Sequence, residues 1–276
     1  MEVPSTDGVT ITVHDFGGDG PPLLISHATG FCAGTYLPLA GQLASRRHVW
    51  AIDYRGHGDS TAPSNGRFDW DGMGDDLAAV LDALDLRGID VFGHSMGGGV
   101  AMLVESRRPG SFRSAYLFEP IITPVGAVDR VAVESAMSTA ARRRRAEFPS
   151  KAAALWRYAS RTPLGTLRAD SLAAYVEHGF ADQPDGSARL KCDPEHEAAT
   201  FEAAGTITFD TVRGLTTPTV VAVGAAEGEL GPAAFAADIV AALADATLER
   251  HPTLGHFGPL QDPPGIAARI LAALAD

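Results

Sequence analysis

The sequence predicts an α/β fold, in which a mainly parallel sheet is flanked by helices and interrupted by a helical insertion. Short apolar runs alternate with helical patterns up to about residue 122, and the same alternation returns after about residue 210. Between these regions the chain is rich in Ala, Arg and Glu, and strand-like runs disappear. We therefore divide the chain into a first core segment, residues 1–122, a helical insertion, 123–210, and a second core segment, 211–276.

Each strand of the first core segment is predicted from a short apolar run bounded by Gly, Pro or charged residues. These runs are residues 9–13, 22–26, 48–53, 89–92 and 113–118. A helix is predicted over residues 75–86, because Leu77, Val80 and Leu84 recur at three- and four-residue spacing on one face.

Helical patterns dominate the insertion. They cover residues 129–147, 151–160 and 170–180, separated by Pro149, Pro163 and a Pro-Asp-Gly turn at 184–186. The second core segment returns to strands at 219–223 and 246–250 and to helices at 232–243 and 264–274. The insertion therefore interrupts one domain.

The balance of charged residues argues against proteins that bind nucleic acids or acidic membranes. The 276 residues include 34 acidic and 22 basic side chains, which give a formal net charge of −12. This balance provides no general attraction for nucleic acids or acidic membranes. The N-terminus lacks a basic segment followed by an apolar one, and nowhere do about 18 apolar residues follow one another. We expect a soluble cytoplasmic protein that binds a small molecule, without nucleic-acid or membrane partners.

Cysteine and histidine patterns predict neither a disulfide framework nor a metal site. The two cysteines, Cys32 and Cys192, lie in unrelated contexts, and neither CxxC nor HExxH occurs. The nine histidines are scattered, without metal-ligand spacing. We expect no metal and no cofactor.

The strongest chemical signal is the G-x-S-x-G motif Gly93-His94-Ser95-Met96-Gly97, which follows a predicted strand and precedes an apolar helix. A sharp strand-to-helix turn exposes the serine hydroxyl, and the flanking glycines remove side chains that would collide. Free amides at the helix N-terminus stabilise negative charge on a substrate oxygen. We identify Ser95 as the nucleophile and the Met96 amide as an oxyanion donor.

With this motif the sequence resembles the α/β-hydrolase family, and the resemblance covers nearly the whole chain outside the insertion. It implies a mainly parallel eight-stranded sheet, a helical cap made by residues 123–210 and a catalytic triad in the chain order Ser, acid, His. The family's general base follows the last strand, and His256 between Gly255 and Phe257 matches that place. His251 competes with it but lacks a glycine-flanked loop.

The sequence leaves the acid of the triad open between Glu119 and Glu227. Glu227 matches the usual family position after strand seven, although a solvated acidic turn also explains it. Glu119 ends strand six, where the resemblance implies an acid in some branches, haloalkane dehalogenases among them. An ionised carboxylate within the apolar run around Glu119 is costly unless it has a partner. This cost slightly favours Glu119.

A second oxyanion donor is expected in His27-Ala28-Thr29-Gly30-Phe31, which resembles the family's loop after strand three. By position, the Thr29 amide is this donor. Its hydroxyl either adds a bond to the oxyanion or caps a helix. Ala28 replaces the usual glycine, and His27 is interpreted as a loop brace.

Four consecutive cations, Arg142 to Arg145, lie on the first predicted helix of the insertion. Because they spread over most of the helix circumference, they are typical of a solvated face. The sharper alternative is that one or two of them contact an anionic substrate group as it enters.

These residues predict a serine hydrolase that cleaves a carboxylic ester, thioester or lactone of a small apolar substrate through an acyl-enzyme. Carbon–carbon bond hydrolases and lyases use similar triads on this fold and remain alternatives. A non-catalytic small-molecule receptor is a third, and sustained turnover distinguishes it from an enzyme. Neither the substrate nor the oligomeric state follows from the sequence.

Overall fold

A computed structural model of the chain describes residues 1–124, 130–225 and 231–274, with the backbone alone for 130–135. The strands are β1 (Glu2–Pro4), β2 (Thr10–Gly17), β3 (Pro22–Ser26), β4 (His48–Ile52), β5 (Ile89–His94), β6 (Phe112–Phe118), β7 (Glu147–Phe148), β8 (Phe180–Asp182), β9 (Ala188–Leu190), β10 (Thr219–Val223) and β11 (Ala246–Arg250). The helices are α1 (Leu37–Leu43), α2 (Trp70–Ala83), α3 (Met96–Arg107), α4 (Arg130–Arg142), α5 (Lys151–Ala159), α6 (Ala169–Gly179), α7 (Pro194–Glu202), α8 (Phe209–Val212), α9 (Ala236–Ala242), α10 (Gly258–Gln261) and α11 (Pro263–Ala273).

Eight strands form one sheet in the order β1-β2-β4-β3-β5-β6-β10-β11. Strand β2 pairs antiparallel with both β1 and β4, and the other five pairs of this sheet are parallel. Helices α2, α3 and α9 pack on one face of the sheet, and α1 and α11 pack on the other. The predicted mainly parallel, eight-stranded sheet flanked by helices is therefore confirmed.

The central strands are buried on both faces because helices cover both sides. Every residue of β5 is buried, including Asp90, whose carboxylate accepts hydrogen bonds from the side chains of Arg47 and Ser114 at 3.0 and 2.5 Å. Helix α2 begins at Trp70, earlier than the predicted residue 75, because the Asp69 carboxylate accepts a hydrogen bond of 2.8 Å from the Gly72 amide and caps the first turn.

The elements from α4 to α7, here called the middle segment, lie between β6 and α8 in the chain. The expectation that this region lacks strands is wrong, since β7, β9 and β8 form a small antiparallel sheet. Helix α4 ends at Arg142, not at residue 147, and Phe148 and Phe180 become buried strand residues packed against each other. Strands of two or three residues are too short for a two-residue alternation to reveal them.

No helix within the described ranges is both long and apolar enough to cross a membrane.

Candidate active site

Ser95 occupies a sharp turn between β5 and α3, with φ of 54° and ψ of −119°. The turn brings the helix so close to the sheet that side chains do not fit beside it. A Cβ atom on Gly97 would lie 2.2 Å from the Ser26 carbonyl oxygen, and one on Gly93 would lie 2.5 Å from the Gly98 Cα. The glycines of the motif are therefore required by close backbone packing.

Hydrogen bonds on both sides hold Ser95 in this strained conformation. Its amide donates to the Phe118 carbonyl at 3.0 Å, and its carbonyl accepts from the Gly98, Gly99 and Ile121 amides at 3.1 to 3.2 Å. A positive φ at a non-glycine residue persists only where the surroundings determine it. Ser95 is therefore anchored to β6 as well as to its own helix.

Glu119 and His256 meet at the end of β6. The His256 Nδ1 lies 2.6 Å from Glu119 Oε2, and Glu119 Oε1 accepts a 2.9 Å hydrogen bond from the Gly224 amide. Because an ionised carboxylate only accepts, the proton of the imidazole is on Nδ1 and its Nε2 is left as a base. Ser95 and His256 line the same cavity.

Of the two candidates for the acid of the triad, the structure describes Glu119. Glu119 is 2% exposed, and its two donors compensate the burial of its charge within an apolar run. Its φ of 45° is again positive, so the chain turns sharply as it leaves β6. Glu227 lies outside the described residues.

His251, the alternative to His256 as the general base, has other partners. His251 Nε2 lies 2.8 Å from Glu249 and 3.2 Å from the Tyr116 hydroxyl, and His251 does not line the cavity that contains Ser95.

The side chains of Thr29 and Met96, whose amides are the expected oxyanion donors, contact each other. The Thr29 hydroxyl donates to the Met96 sulfur at 3.3 Å, so it does not cap a helix. Neither the Thr29 amide nor the Met96 amide has an acceptor within the described part of the chain. Ala28 causes no strain, because the left-handed conformation of this loop falls on Gly30, with φ of 78°.

His94 connects three parts of the site, a role that sequence reasoning missed. Its Nε2 donates to the His256 carbonyl oxygen at 2.8 Å, and its Nδ1 accepts from the Tyr36 hydroxyl at 2.7 Å. The Tyr36 oxygen in turn accepts from the Ala28 amide at 3.2 Å. Burial, together with the nearby His256, lowers the pKa of His94 well below 6.5, which keeps the ring neutral.

His27 braces the loop that carries Thr29. Its Nδ1 donates to the Ala28 carbonyl at 2.8 Å, and its Nε2 accepts from the Tyr54 amide at 3.0 Å. Burial lowers its pKa to about 3.

The nearby Cys32 is buried against Thr35, and burial raises the pKa of its thiol to about 12. This thiol therefore packs the interior and is unreactive.

The loop after β4 is held together by its own charges. Arg55 is fully buried and donates to both carboxylate oxygens of Asp76 at 2.8 and 2.9 Å. The Asp53 carboxylate accepts from the Ala33 and Asp59 amides at 2.7 and 2.9 Å. These contacts support the fold around the site and do not reach the cavity.

Within the ranges described, no group of three or more His, Cys, Asp or Glu is arranged to hold a metal ion.

The cavity beside Ser95 has a volume of about 390 Å³ and lies between the core and the middle segment. Five aromatic residues line it: Phe31, Tyr158, Tyr175, Phe201 and Phe257. Arg143, Arg144 and Arg145 also line it, whereas Arg142 points away and pairs with Glu195 and Glu202 on the surface. A solvated face therefore describes only part of the arginine run.

This architecture is similar to that of known proteins. A sequence model described as "Alpha/beta hydrolase family" matches residues 23–269. A solved structure titled E-2-(acetamidomethylene)succinate hydrolase superposes with a TM-score of 0.82 and 21% identity, covering 100% of this chain and 99% of that one.

Two curated relatives match part of the chain. A non-heme chloroperoxidase of Streptomyces lividans is 38% identical over 43% of this chain and 44% of its own length. A 2-hydroxymuconate semialdehyde hydrolase of Pseudomonas sp. strain CF600 is 33% identical over 40% of each chain. The chain thus spans less than half the length of these relatives in the matched segments.

Proposed function

The chain belongs to the alpha/beta hydrolase family, and on that premise we propose that it is a serine hydrolase that cleaves a carboxylic ester, thioester or lactone through an acyl-enzyme on Ser95. The observation that carries the proposal is the 2.6 Å contact between Glu119 and His256, which lines the same cavity as Ser95. A serine hydroxyl needs such an oriented base, because it is a poor nucleophile at its free pKa.

The proposed reaction has two halves. The Ser95 oxygen attacks the substrate carbonyl while His256 Nε2 accepts the hydroxyl proton, and Glu119 stabilises the resulting imidazolium. The Met96 and Thr29 amides donate to the oxyanion, and His256 returns the proton to the leaving group. Water, deprotonated by the same His256, then attacks the acyl carbonyl, releases the acid and restores the Ser95 hydroxyl.

We also propose that residues 123–210 form a cap over the site, between core segments 1–122 and 211–276. An isolated parallel bridge joins Thr123 to Thr208, so the chain leaves and re-enters the core at neighbouring points. Side chains from α4, α5, α6 and α7 line the cavity together with core residues. Substrate selection therefore depends on the middle segment.

The proposal is tested with a fluorophosphonate probe and short p-nitrophenyl esters, on the wild type and on Ser95→Ala. We expect stoichiometric labelling and sustained release of p-nitrophenol that Ser95→Ala abolishes. Labelling followed by a single slow acylation would instead favour a small-molecule receptor. Absence of labelling would refute Ser95 as an activated nucleophile.

A second candidate is hydrolysis of a carbon–carbon bond, favoured by the 33% identity to the 2-hydroxymuconate semialdehyde hydrolase over 40% of this chain. The same triad serves such reactions, because fold and triad do not determine the bond that is cleaved. We would incubate the protein with 2-hydroxymuconate semialdehyde and follow the loss of its absorbance. Turnover of this compound without turnover of esters would select the second candidate.

A further inference from the structure

Positive charge is concentrated in the cavity of a protein whose formal net charge is −12. Five arginines line the cavity beside Ser95: Arg143, Arg144, Arg145, Arg157 and Arg161. Among the described lining residues, Glu197 is the only acidic one. An excess of cations around a reaction centre in an acidic protein calls for a specific reason, because a low-dielectric wall strengthens their mutual repulsion.

Two of these arginines already have structural partners. Arg144 donates to the Glu197 carboxylate and to the Tyr175 hydroxyl, and this group packs against Gly30 of the loop that carries Thr29. Arg145 Nε donates to the Glu147 carbonyl at 2.6 Å, and its guanidinium lies 4.8 Å from the centre of the Phe148 ring. Both therefore serve the packing of the middle segment.

Arg143, Arg157 and Arg161 differ from them, because none has an ion pair or side-chain hydrogen bond with any residue in the described part of the chain. Arg143 directly follows α4, whereas Arg157 lies in the last turn of α5 and Arg161 follows it, two positions beyond the end of that helix. Both line the cavity; Arg157 is half-buried, and Arg161 is exposed at its edge. Two guanidinium groups that line one cavity repel each other, and an anion bound between them offsets this repulsion.

We propose that Arg157 and Arg161 bind a carboxylate of the substrate, at a position remote from the carbonyl that Ser95 attacks. A guanidinium fork matches the two oxygens of a carboxylate, and a charge-assisted hydrogen bond is stronger than a neutral one. The substrate class is then a carboxylic ester, thioester or lactone that carries a second, free carboxylate. This inference rests on the proposed function, and it replaces the small apolar substrate expected from the sequence.

The test uses two p-nitrophenyl esters of equal acyl length, the anionic mono-p-nitrophenyl adipate and its neutral methyl ester. We expect the wild type to prefer the anionic ester in kcat/KM by about 10- to 100-fold, the range that hydrogen bonds to a charged group provide. Arg157→Gln and Arg161→Gln each lower this preference about tenfold, mainly through KM. A concentration of 0.5 M NaCl weakens the preference of the wild type.

Arg189→Gln is the matched control. Arg189 is an exposed arginine on β9 of the same middle segment, and it does not line the cavity. We expect this variant to keep the full preference for the anionic ester. Arg157→Lys retains the charge, so it retains part of the preference even if Arg157→Gln lowers the stability.

The outcomes separate the two proposals. Hydrolysis of the neutral ester that depends on Ser95, without preference for the anionic ester, overturns the carboxylate site and leaves the serine hydrolase standing. Failure to hydrolyse either ester, together with absence of fluorophosphonate labelling, overturns the proposed function. A higher kcat/KM for the corresponding ω-phosphonate ester than for the carboxylate overturns the assignment to a carboxylate.

Discussion

The His94 ring donates a 2.8 Å hydrogen bond from its Nε2 to the main-chain carbonyl oxygen of His256, across 162 residues of sequence. The same ring accepts from the Tyr36 hydroxyl, which contacts the amide of Ala28. His94, which precedes Ser95, thereby connects the loop of His256 to the loop that carries Thr29. A small displacement of either loop has a large kinetic effect, since catalysis depends on the geometry of the reacting groups.

Removal of the Tyr36 hydroxyl should therefore slow the reaction more than it weakens substrate binding. Tyr36→Phe leaves His94 Nδ1 and the Ala28 amide without their partner, which costs about 1–3 kcal/mol of unfolding free energy. We expect kcat to fall about 10- to 100-fold, with KM nearly unchanged. Steady-state kinetics with p-nitrophenyl esters and thermal unfolding measure both effects.

Tyr116→Phe is the control for this prediction. Tyr116 is equally buried, and its hydroxyl donates to Glu249 at 2.9 Å, away from the cavity. We expect a similar loss of stability with kcat retained. An equal fall of kcat in both variants would show that general destabilisation, and not positioning, explains the Tyr36 result.

Glu119→Gln should abolish most of the activity while preserving the shape of the side chain. The amide cannot accept at once from the Gly224 amide and from the proton on His256 Nδ1, so the imidazole loses its oriented tautomer. We expect kcat to fall about 10³- to 10⁴-fold. Rates of labelling by a fluorophosphonate measure the effect on acylation.

Glu227→Gln provides the comparison, because it changes the other acid that the sequence offered. We expect its rate of acylation to stay within about twofold of the wild type. Loss of acylation in Glu227→Gln alone would assign the acid role to that residue.

Stability should fall between pH 6.5 and pH 4, because His27 and His57, like His94, are buried and resist protonation. Burial lowers the pKa of His57 to about 4 and that of His27 to about 3, from 6.5. Below pH 6.5 the unfolded chain binds protons at these sites and the folded chain does not, so the stabilisation present above pH 6.5 is progressively lost. Each histidine then contributes a loss of about 1.4 kcal/mol per pH unit.

Urea denaturation at pH 7, 6 and 5 measures this slope, and NMR of the imidazole rings identifies its source. We expect the His27 and His57 rings to remain neutral at pH 5. Titration of either ring near pH 6.5 in the folded protein would contradict the prediction.

Gly97→Ala should destabilise the protein severely, since the added Cβ would lie 2.2 Å from the Ser26 carbonyl oxygen and 2.6 Å from that of His27. Neither backbone atom can move without displacing β3 from the sheet, and we expect the free energy of unfolding to fall by about 3 kcal/mol or more.

Gly41→Ala is the matched control. Gly41 lies in α1 with open space around its Cα, so alanine there should stabilise the helix by about 0.5–1 kcal/mol. Equal thermal stability of the two variants would contradict the close packing at Gly97.

The sequence by itself determined the sheet, its flanking helices and the turn around Ser95. Strands such as β3 and β10 were predicted at their observed bounds, because apolar runs and turn residues are local features of the chain. The glycines around Ser95 were also readable, since a left-handed turn between a strand and a helix restricts residue types locally. Short strands such as β8 were missed, because pairing in the middle segment overrides the local helical pattern.

Only the tertiary structure decided which side chains meet. Glu119 and His256 are 137 residues apart, and their contact depends on how the ends of β6, β10 and β11 place Glu119, Gly224 and the His256 loop. The four adjacent arginines are alike in sequence, yet Arg142 pairs on the surface while Arg144 is held by Glu197 beside the cavity. Such roles follow from distance in space and from burial. Neither can be read from the local pattern of residues, because both depend on how distant segments pack.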